Sequence, residues 1–248
     1  MNENTLTTEQ IYEILNPWKR RQYEIFSQAV NAQVFNIKKA KFFLPHYPKD
    51  CISRIIVDSD NYWDISALDI INNYLPDNAV ILDIGANIGS HSVYWALERH
   101  AKKIYAFEPF ADTFLILQAN VRLNSLEDCI QIYNFGLMDE TCRGEVSSFV
   151  ETNIGGTSFK KSSGGNYTFR QLDRINIPEK IDLIKIDVEG AEIECLKGAV
   201  KTICSNKPVI VLETFDYKDK VDSFMKSISY KLACPIREGA DYIYTYNP

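Results

Sequence analysis

Histidine is scarce in this chain of 248 residues: only His46, His91 and His100 occur, with no close ligand pairing. The six cysteines (Cys51, Cys129, Cys142, Cys195, Cys204 and Cys234) are scattered and form no CxxC pair. These two shortages argue against a structural zinc site. Several of the cysteines lie in apolar stretches, where a free thiol behaves as a small hydrophobe, so they read as reduced thiols of a cytoplasmic protein. No apolar run approaches the ~20 residues needed to cross a bilayer. The opening MNENTLTTEQ lacks the basic start and apolar core of a secretory leader. A basic excess is missing as well. The net charge of −6 argues against duplex nucleic acid or an anionic membrane as the main partner.

What is present describes a globular chain, 46% hydrophobic and 24% charged. At this length about three quarters of the unfolded surface can be buried without a disulfide or metal. Residues 1–75 read as an N-terminal helical appendage that caps the site or makes homodimer contacts. Thr7 and Gln10 resemble a capping box, followed by Ile11, Ile14, Leu15 and Trp18 at helical spacing. Pro17 should break that helix, and Tyr23, Phe26, Val30 and Val34 suggest a second. Lys19-Arg20-Arg21 reads as a solvated helix face. From residue 76 to 248 short apolar strands alternate with helices, the pattern of a doubly wound parallel sheet. Two terminal strands around residues 230–234 and 242–246 read as an antiparallel hairpin. The long segment 138–172, with Gly155-Gly156 and Ser162-Ser163-Gly164-Gly165, fits a binding lid or a plain surface hairpin equally well.

Two clusters carry chemistry. In Val80-Ile81-Leu82-Asp83-Ile84-Gly85-Ala86-Asn87-Ile88-Gly89 a strand ends at an acid, and two glycines lead into a helix. Glycine there permits a sharp turn and close approach of a ligand. Glu108, at the tip of the next strand, is placed to accept both ribose hydroxyls of an adenosine. Asp83 would sit badly beside a pyrophosphate and suits a cationic ligand, so the expected cofactor is S-adenosylmethionine. The rival is a nicotinamide dinucleotide in an oxidoreductase, and a non-catalytic S-adenosylmethionine-binding protein is a second alternative. The other cluster is Ile184-Lys185-Ile186-Asp187-Val188-Glu189-Gly190-Ala191-Glu192. Alternation puts Lys185 and Asp187 on one face. A lysine inside an apolar strand should pair with a carboxylate, while Glu192 reads as a helix N-terminal acid.

These motifs, in this order, resemble the FkbM family of S-adenosylmethionine-dependent methyltransferases. The resemblance rests on Leu82-Asp83-Ile84-Gly85-Ala86-Asn87-Ile88-Gly89, on Phe107-Glu108-Pro109 with Leu117, Asn120 and Asn124, and on Lys185 through Glu192 with Leu196-Lys197-Gly198-Ala199. Leu172-Asp173 and Leu212-Glu213 also fit; the similarity runs from about residue 79 to 215 and leaves the first 60 to 75 residues unmatched. It implies a Rossmann-like class I methyltransferase sheet of seven strands and methylation of a hydroxyl, often on sugars of bacterial glycans or on secondary metabolites. Carried over, Asp83, Gly85, Asn87 and Gly89 line the methionine end of the cofactor. Glu108 takes the ribose, and Gly136-Leu137 meet the adenine through backbone groups. His91 falls near the cofactor by the same placement, although a histidine there more often packs. Asp187 would act as base or acceptor-positioning group, Lys185 would hold the carboxylates, and Glu213 would bind acceptor hydroxyls. A divalent ion bridging Asp187, Glu189 and Glu213 suits those oxygen ligands, but no ligand spacing demands one and no metal is assigned.

Overall fold

A computed structural model describes residues 34–214, 217–237 and 240–248. The described chain opens with a hairpin, β1 (Val34–Ile37) and β2 (Ala40–Phe43), then helices α1 (Cys51–Ser59) and α2 (Ile65–Asn72). Alternation follows through β3 (Val80–Ile84), α3 (Ser90–Glu98), β4 (Lys103–Phe107), α4 (Ala111–Leu123) and β5 (Ile130–Tyr133). Next come β6 (Gly136–Leu137), β7 (Cys142–Val150), β8 (Asn153–Lys161) and β9 (Tyr167–Arg170), which make a separate four-stranded sheet. The remainder is β10 (Leu183–Ile186), α5 (Glu192–Lys197), α6 (Val200–Asn206), β11 (Val209–Glu213), α7 (Lys218–Ser227), β12 (Tyr230–Arg237) and β13 (Asp241–Tyr246).

Seven strands form the central sheet in the order β12-β13-β11-β10-β3-β4-β5. The five from β11 to β5 run parallel, and β13 and β12 pair antiparallel at one edge, as the terminal hairpin requires. All five residues of β3 are buried, which is why this segment reads as a continuous apolar run. Side chains alternate across the sheet. Ile81, Ile104, Leu183 and Val211 join one core with α3 and α4, while Leu82, Phe107, Ile184 and Leu212 join the other with α5 to α7. β3 lies between β4 and β10, so the winding reverses there. Ligands of open α/β sheets bind outside the strand C-termini at such a switch point.

The N-terminal expectation needs correction. Its first 33 residues, with the Thr7 capping box, lie outside the described residues. Val34, expected in a second helix, begins a strand instead. Nor is the described part an appendage. Phe42, Phe43, Ile56 and Leu68 share a core with Val93, Trp95 and Leu117 of the sheet domain. Two asparagines fasten the hairpin to α4: Asn120 accepts from the Phe43 N–H (2.7 Å), and Asn124 exchanges two 2.8 Å hydrogen bonds with the Lys41 backbone. No helix among the described residues is long and apolar enough to cross a membrane.

Candidate active site

Parallel pairing of β10 with β3 sets Lys185 in register with Asp83. The Lys185 Nζ lies 3.4 Å from Asp83 Oδ1 and 3.1 Å from Asp187 Oδ2, and donates to the Gly85 carbonyl at 3.2 Å. Ser92 Oγ donates to the other Asp83 oxygen at 2.6 Å. Burial alone would lower the Lys185 ammonium, but Asp187 and Asp83 outweigh it and hold it above its ordinary value. Burial would likewise raise Asp187; Lys185, with a hydrogen bond from Glu213, overrides it and keeps that carboxyl low. The counterpart is Glu213, which burial and the Asp187 charge push up to about 9. Lys185 thus favours the charged form of Asp187, while burial and the Asp187 charge push Glu213 toward its neutral form against the pull of Arg237, 2.6 Å from its Oε1.

The glycine turn is fixed by neighbours on both sides. Gly85 has φ +80°, and a Cβ there would lie 1.7 Å from the Asp187 carbonyl oxygen, so a side chain is excluded by strain and by contact. The Gly85 and Ala86 N–H groups both donate to the Phe107 carbonyl at 3.0 Å. This brings the Glu108 carboxylate within reach of the turn: Asn87 N–H donates to its Oε2 and Phe110 N–H to its Oε1, both at 2.8 Å. Burial pushes Glu108 up to about 7, against the pull of those backbone donors. Both Glu108 oxygens are anchored by backbone donors, with a further hydrogen bond from the Thr113 side chain, and the carboxylate keeps lone-pair capacity for a ligand.

A cavity of about 380 Å³ opens at these strand ends. Of the residues singled out from sequence, Gly85, Asn87, His91 and Glu108 line it, as do Gly136, Lys185, Asp187 and Glu213. Asp83 and Gly89 do not. Asp83 has no accessible surface and sits beneath the wall, bound to Ser92 and Lys185, so it supports the site without touching a ligand. Gly89 faces α4, where a Cβ would meet Leu117 Cδ1 at 2.5 Å; its smallness serves helix packing. His91 Nε2 lies 3.2 Å from the Trp63 carbonyl, and Trp63 N–H donates to Ser90 Oγ at 3.1 Å.

Sequence reasoning missed much of the wall. Trp63 and Asp64 come from the start of α2, and Ile154 and Gly155 from β8. The segment 138–172 is thus folded into a sheet that brings β8 and, through Phe169, β9 to the cavity. Asp50 joins α1 to it, capping Ser53 N–H at 2.8 Å and accepting from Ile154 N–H at 3.2 Å. An aspartate three residues before a serine, ahead of Ile52 and Ile56, was the readable helix-start signal here. Arg237 and Asp241 were also missed: Arg237 reaches Glu213 at 2.6 Å and Asp241 at 2.9 Å across the terminal strands.

Charge at this end of the cavity is unbalanced. Asp64, Asp187, Glu189, Glu213 and Asp241 face it, against Lys185 and Arg237. Asp187, Glu189 and Glu213 bring carboxylate oxygens within 4.8 Å of one another, a grouping that could hold a hard cation. Lys185 and Arg237 already sit on two of the three.

A family profile described as "Methyltransferase FkbM domain" matches residues 83–232, more than half of the chain. The chain belongs to the FkbM methyltransferase family. The AMB antimetabolite synthetase AmbE of Pseudomonas aeruginosa is 28% identical over 188 residues, 58% of this chain but 9% of that protein. The hexuronic acid methyltransferase AglP of Haloferax volcanii is 29% identical over 140 residues, 54% of this chain and 56% of AglP. Among solved structures, the methyltransferase FkbM of Methylobacillus flagellatus aligns with a TM-score of 0.55 at 21% identity, over 73% of this chain and 47% of that one. That likeness supports the class I methyltransferase fold. The chain thus spans only part of each of these relatives.

The cofactor of an FkbM methyltransferase is S-adenosylmethionine, and the residues present fit it. Glu108 offers anchored acceptor oxygens suited to a ribose diol. Asn87 Oδ1 is buried in the wall without a hydrogen-bond partner among the described residues. The acidic end matches a ligand bearing a sulfonium and an ammonium.

Proposed function

We propose that this chain methylates a hydroxyl group, on a sugar of a bacterial glycan or on a secondary metabolite. The observation that carries the reading is the hydrogen-bonding apparatus beside Lys185: the carboxyl groups of Asp187, Glu189 and Glu213 converge within 4.8 Å on one end of the cavity, Asp187 favoured in its charged form and Glu213 pushed toward its neutral one. Such a mixture of acceptors and a donor matches a hydroxyl-bearing substrate. When bound, S-adenosylmethionine supplies an electrophilic methyl group, so the protein must align the attacking oxygen and receive one proton. Asp187 is suited to positioning. Its ion pair with Lys185 keeps it charged, an effective hydrogen-bond acceptor for the substrate O–H but a poor proton acceptor. Glu213, held by Arg237, presents its proton to Asp187 or to a neighbouring hydroxyl. The hexuronic acid relative acts on a sugar by name, which lends support to a sugar acceptor.

The test uses S-adenosylmethionine carrying a tritiated methyl group and a panel of methyl glycosides, uronic acids and amino sugars. Label that survives alkaline hydrolysis on an acceptor without an amino group is an ether and supports hydroxyl methylation. Label lost to alkali is a carboxyl ester, and label retained on an amino group is an N-methyl product; either overturns the reading.

A further inference from the structure

The hydroxyl proton needs a destination, and the ion pair on Asp187 makes that residue a poor one. We propose that His91, a residue of the cavity wall, receives it through an unprotonated Nδ1; this rests on the hydroxyl-directed reading above. The geometry fixes the tautomer. A carbonyl oxygen can only accept, so the 3.2 Å contact with the Trp63 carbonyl requires His91 Nε2 to donate. In the neutral ring Nδ1 then carries the lone pair, and it has no hydrogen-bond partner among the described residues. Ser90 Oγ accepts from the Trp63 N–H and so helps hold the residue whose carbonyl orients the ring. Trp95 lies against the ring, centroids 5.7 Å apart.

The surroundings suit a transient imidazolium. Burial, the Lys185 charge and the first turn of α3 all keep the resting ring neutral. Asp83 on β3, Asp187 after β10 and Asp64 before α2 act in the opposite sense and would stabilise the ring once charged. In the step, the acceptor O–H bond breaks and its proton passes to Nδ1. The oxygen electron pair forms the bond to the methyl carbon, whose bond to sulfur breaks with the pair left on sulfur. Sulfonium becomes thioether and imidazole becomes imidazolium, so charge is conserved, and the ring later loses its proton to water.

Two measurements test this. Long-range 1H–15N spectra of protein labelled at histidine nitrogens should show His91 as the neutral Nε2–H tautomer at pH 7. A ring protonated at Nδ1 at that pH overturns the proposal. The second compares H91Q and H91N with the parent, using the panel glycoside that takes label most rapidly. H91Q can still donate to the Trp63 carbonyl but has no basic lone pair. It should bind S-adenosylmethionine within about threefold of the parent, transfer methyl about a hundredfold more slowly or worse, and, with S-adenosylmethionine saturating at every pH so that cofactor affinity drops out, lose the fall in rate toward acid pH. H91N guards against a misfolded H91Q. Parent-like rates and acid limb in either folded variant overturn the proposal, as does an acid limb lost in E189Q but kept in H91Q. Failure of the hydroxyl reading would look different, with label on nitrogen or a carboxyl group and the tautomer unchanged.

Discussion

At the scale of single residues, Glu108 shows how one carboxylate is prepared for a ligand before the ligand arrives. Two backbone donors hold its oxygens in place, while burial raises it to about 7. Ribose hydroxyls bind as donors, which requires the ionised form, so binding should take up no proton above pH 7 and should force ionisation below it. S-adenosylmethionine affinity is therefore expected to fall as pH drops from about 8 to 6, a dependence that Glu108→Gln should flatten. A hydrogen bond to a charged group contributes about 1.5–3 kcal/mol, so Glu108→Ala should weaken the cofactor at least on the order of tenfold to a hundredfold, the loss of a single such bond. Calorimetric titration across that pH range measures both. Affinity independent of pH in the parent, or unchanged in Glu108→Ala, would remove Glu108 from the ribose.

Individual elements explain what could and could not be read in advance. β3, β4, β10 and β11 were legible because strands buried on both faces are written as continuous apolar runs, and the glycine turn because Gly85 meets backbone. The β1–β2 hairpin was not. Its turn uses Lys38 at φ +50° in place of glycine or asparagine, so the punctuation of a turn is missing. Asp83 was misplaced for another reason. Its charge suits a cationic ligand, yet alternation along β3 turns it into the packed layer with Ser92 and Lys185. The wall residues Trp63, Asp64 and Ile154 owe their position to tertiary contacts that no local pattern records. Asn120 lies on such a joint. Its amide donates to the Ile88 carbonyl at 2.8 Å and accepts from Phe43 N–H, so it ties the glycine turn to the N-terminal hairpin. Asn120→Ala would strand two buried backbone groups at about 1–3 kcal/mol each. Urea unfolding should show a loss of that order, with cofactor affinity reduced as the turn loosens. A loss within ~0.5 kcal/mol, the range of ordinary surface substitutions, would mean that the hairpin is not coupled to the site.

For the molecule as a whole, the charge gathered in the cavity is a liability that the cofactor should relieve. Burial raises Glu108 to about 7, and burial with repulsion from neighbouring carboxylates raises Glu189 to about 7 and Glu213 to about 9, all above the ordinary value of glutamate. Between that value and the raised one, the native state binds more protons than the unfolded chain, so each group makes stability fall as pH rises. The opposing groups act elsewhere. Asp187 is lowered, and its contribution is lost only in acid; Lys185 is raised, and its contribution is lost only in strong alkali. His46 and His91 are held below their ordinary value of about 6.5, so they add stability with rising pH only around and below it. From pH 7 to 8.5 the carboxylates should therefore dominate, and the melting temperature of the cofactor-free protein should decline across that interval. Glu213→Gln, which cannot ionise, should shallow the decline. Saturating S-adenosylmethionine should both raise the melting temperature and flatten its slope, because a cationic ligand favours the ionised carboxylates; at a hundred times its Kd the gain is about 2.7 kcal/mol. Thermal scans at fixed ionic strength would show this, and a melting temperature that climbs from pH 7 to 8.5 without cofactor would mean that the acidic end of the cavity is not strained by its own charge.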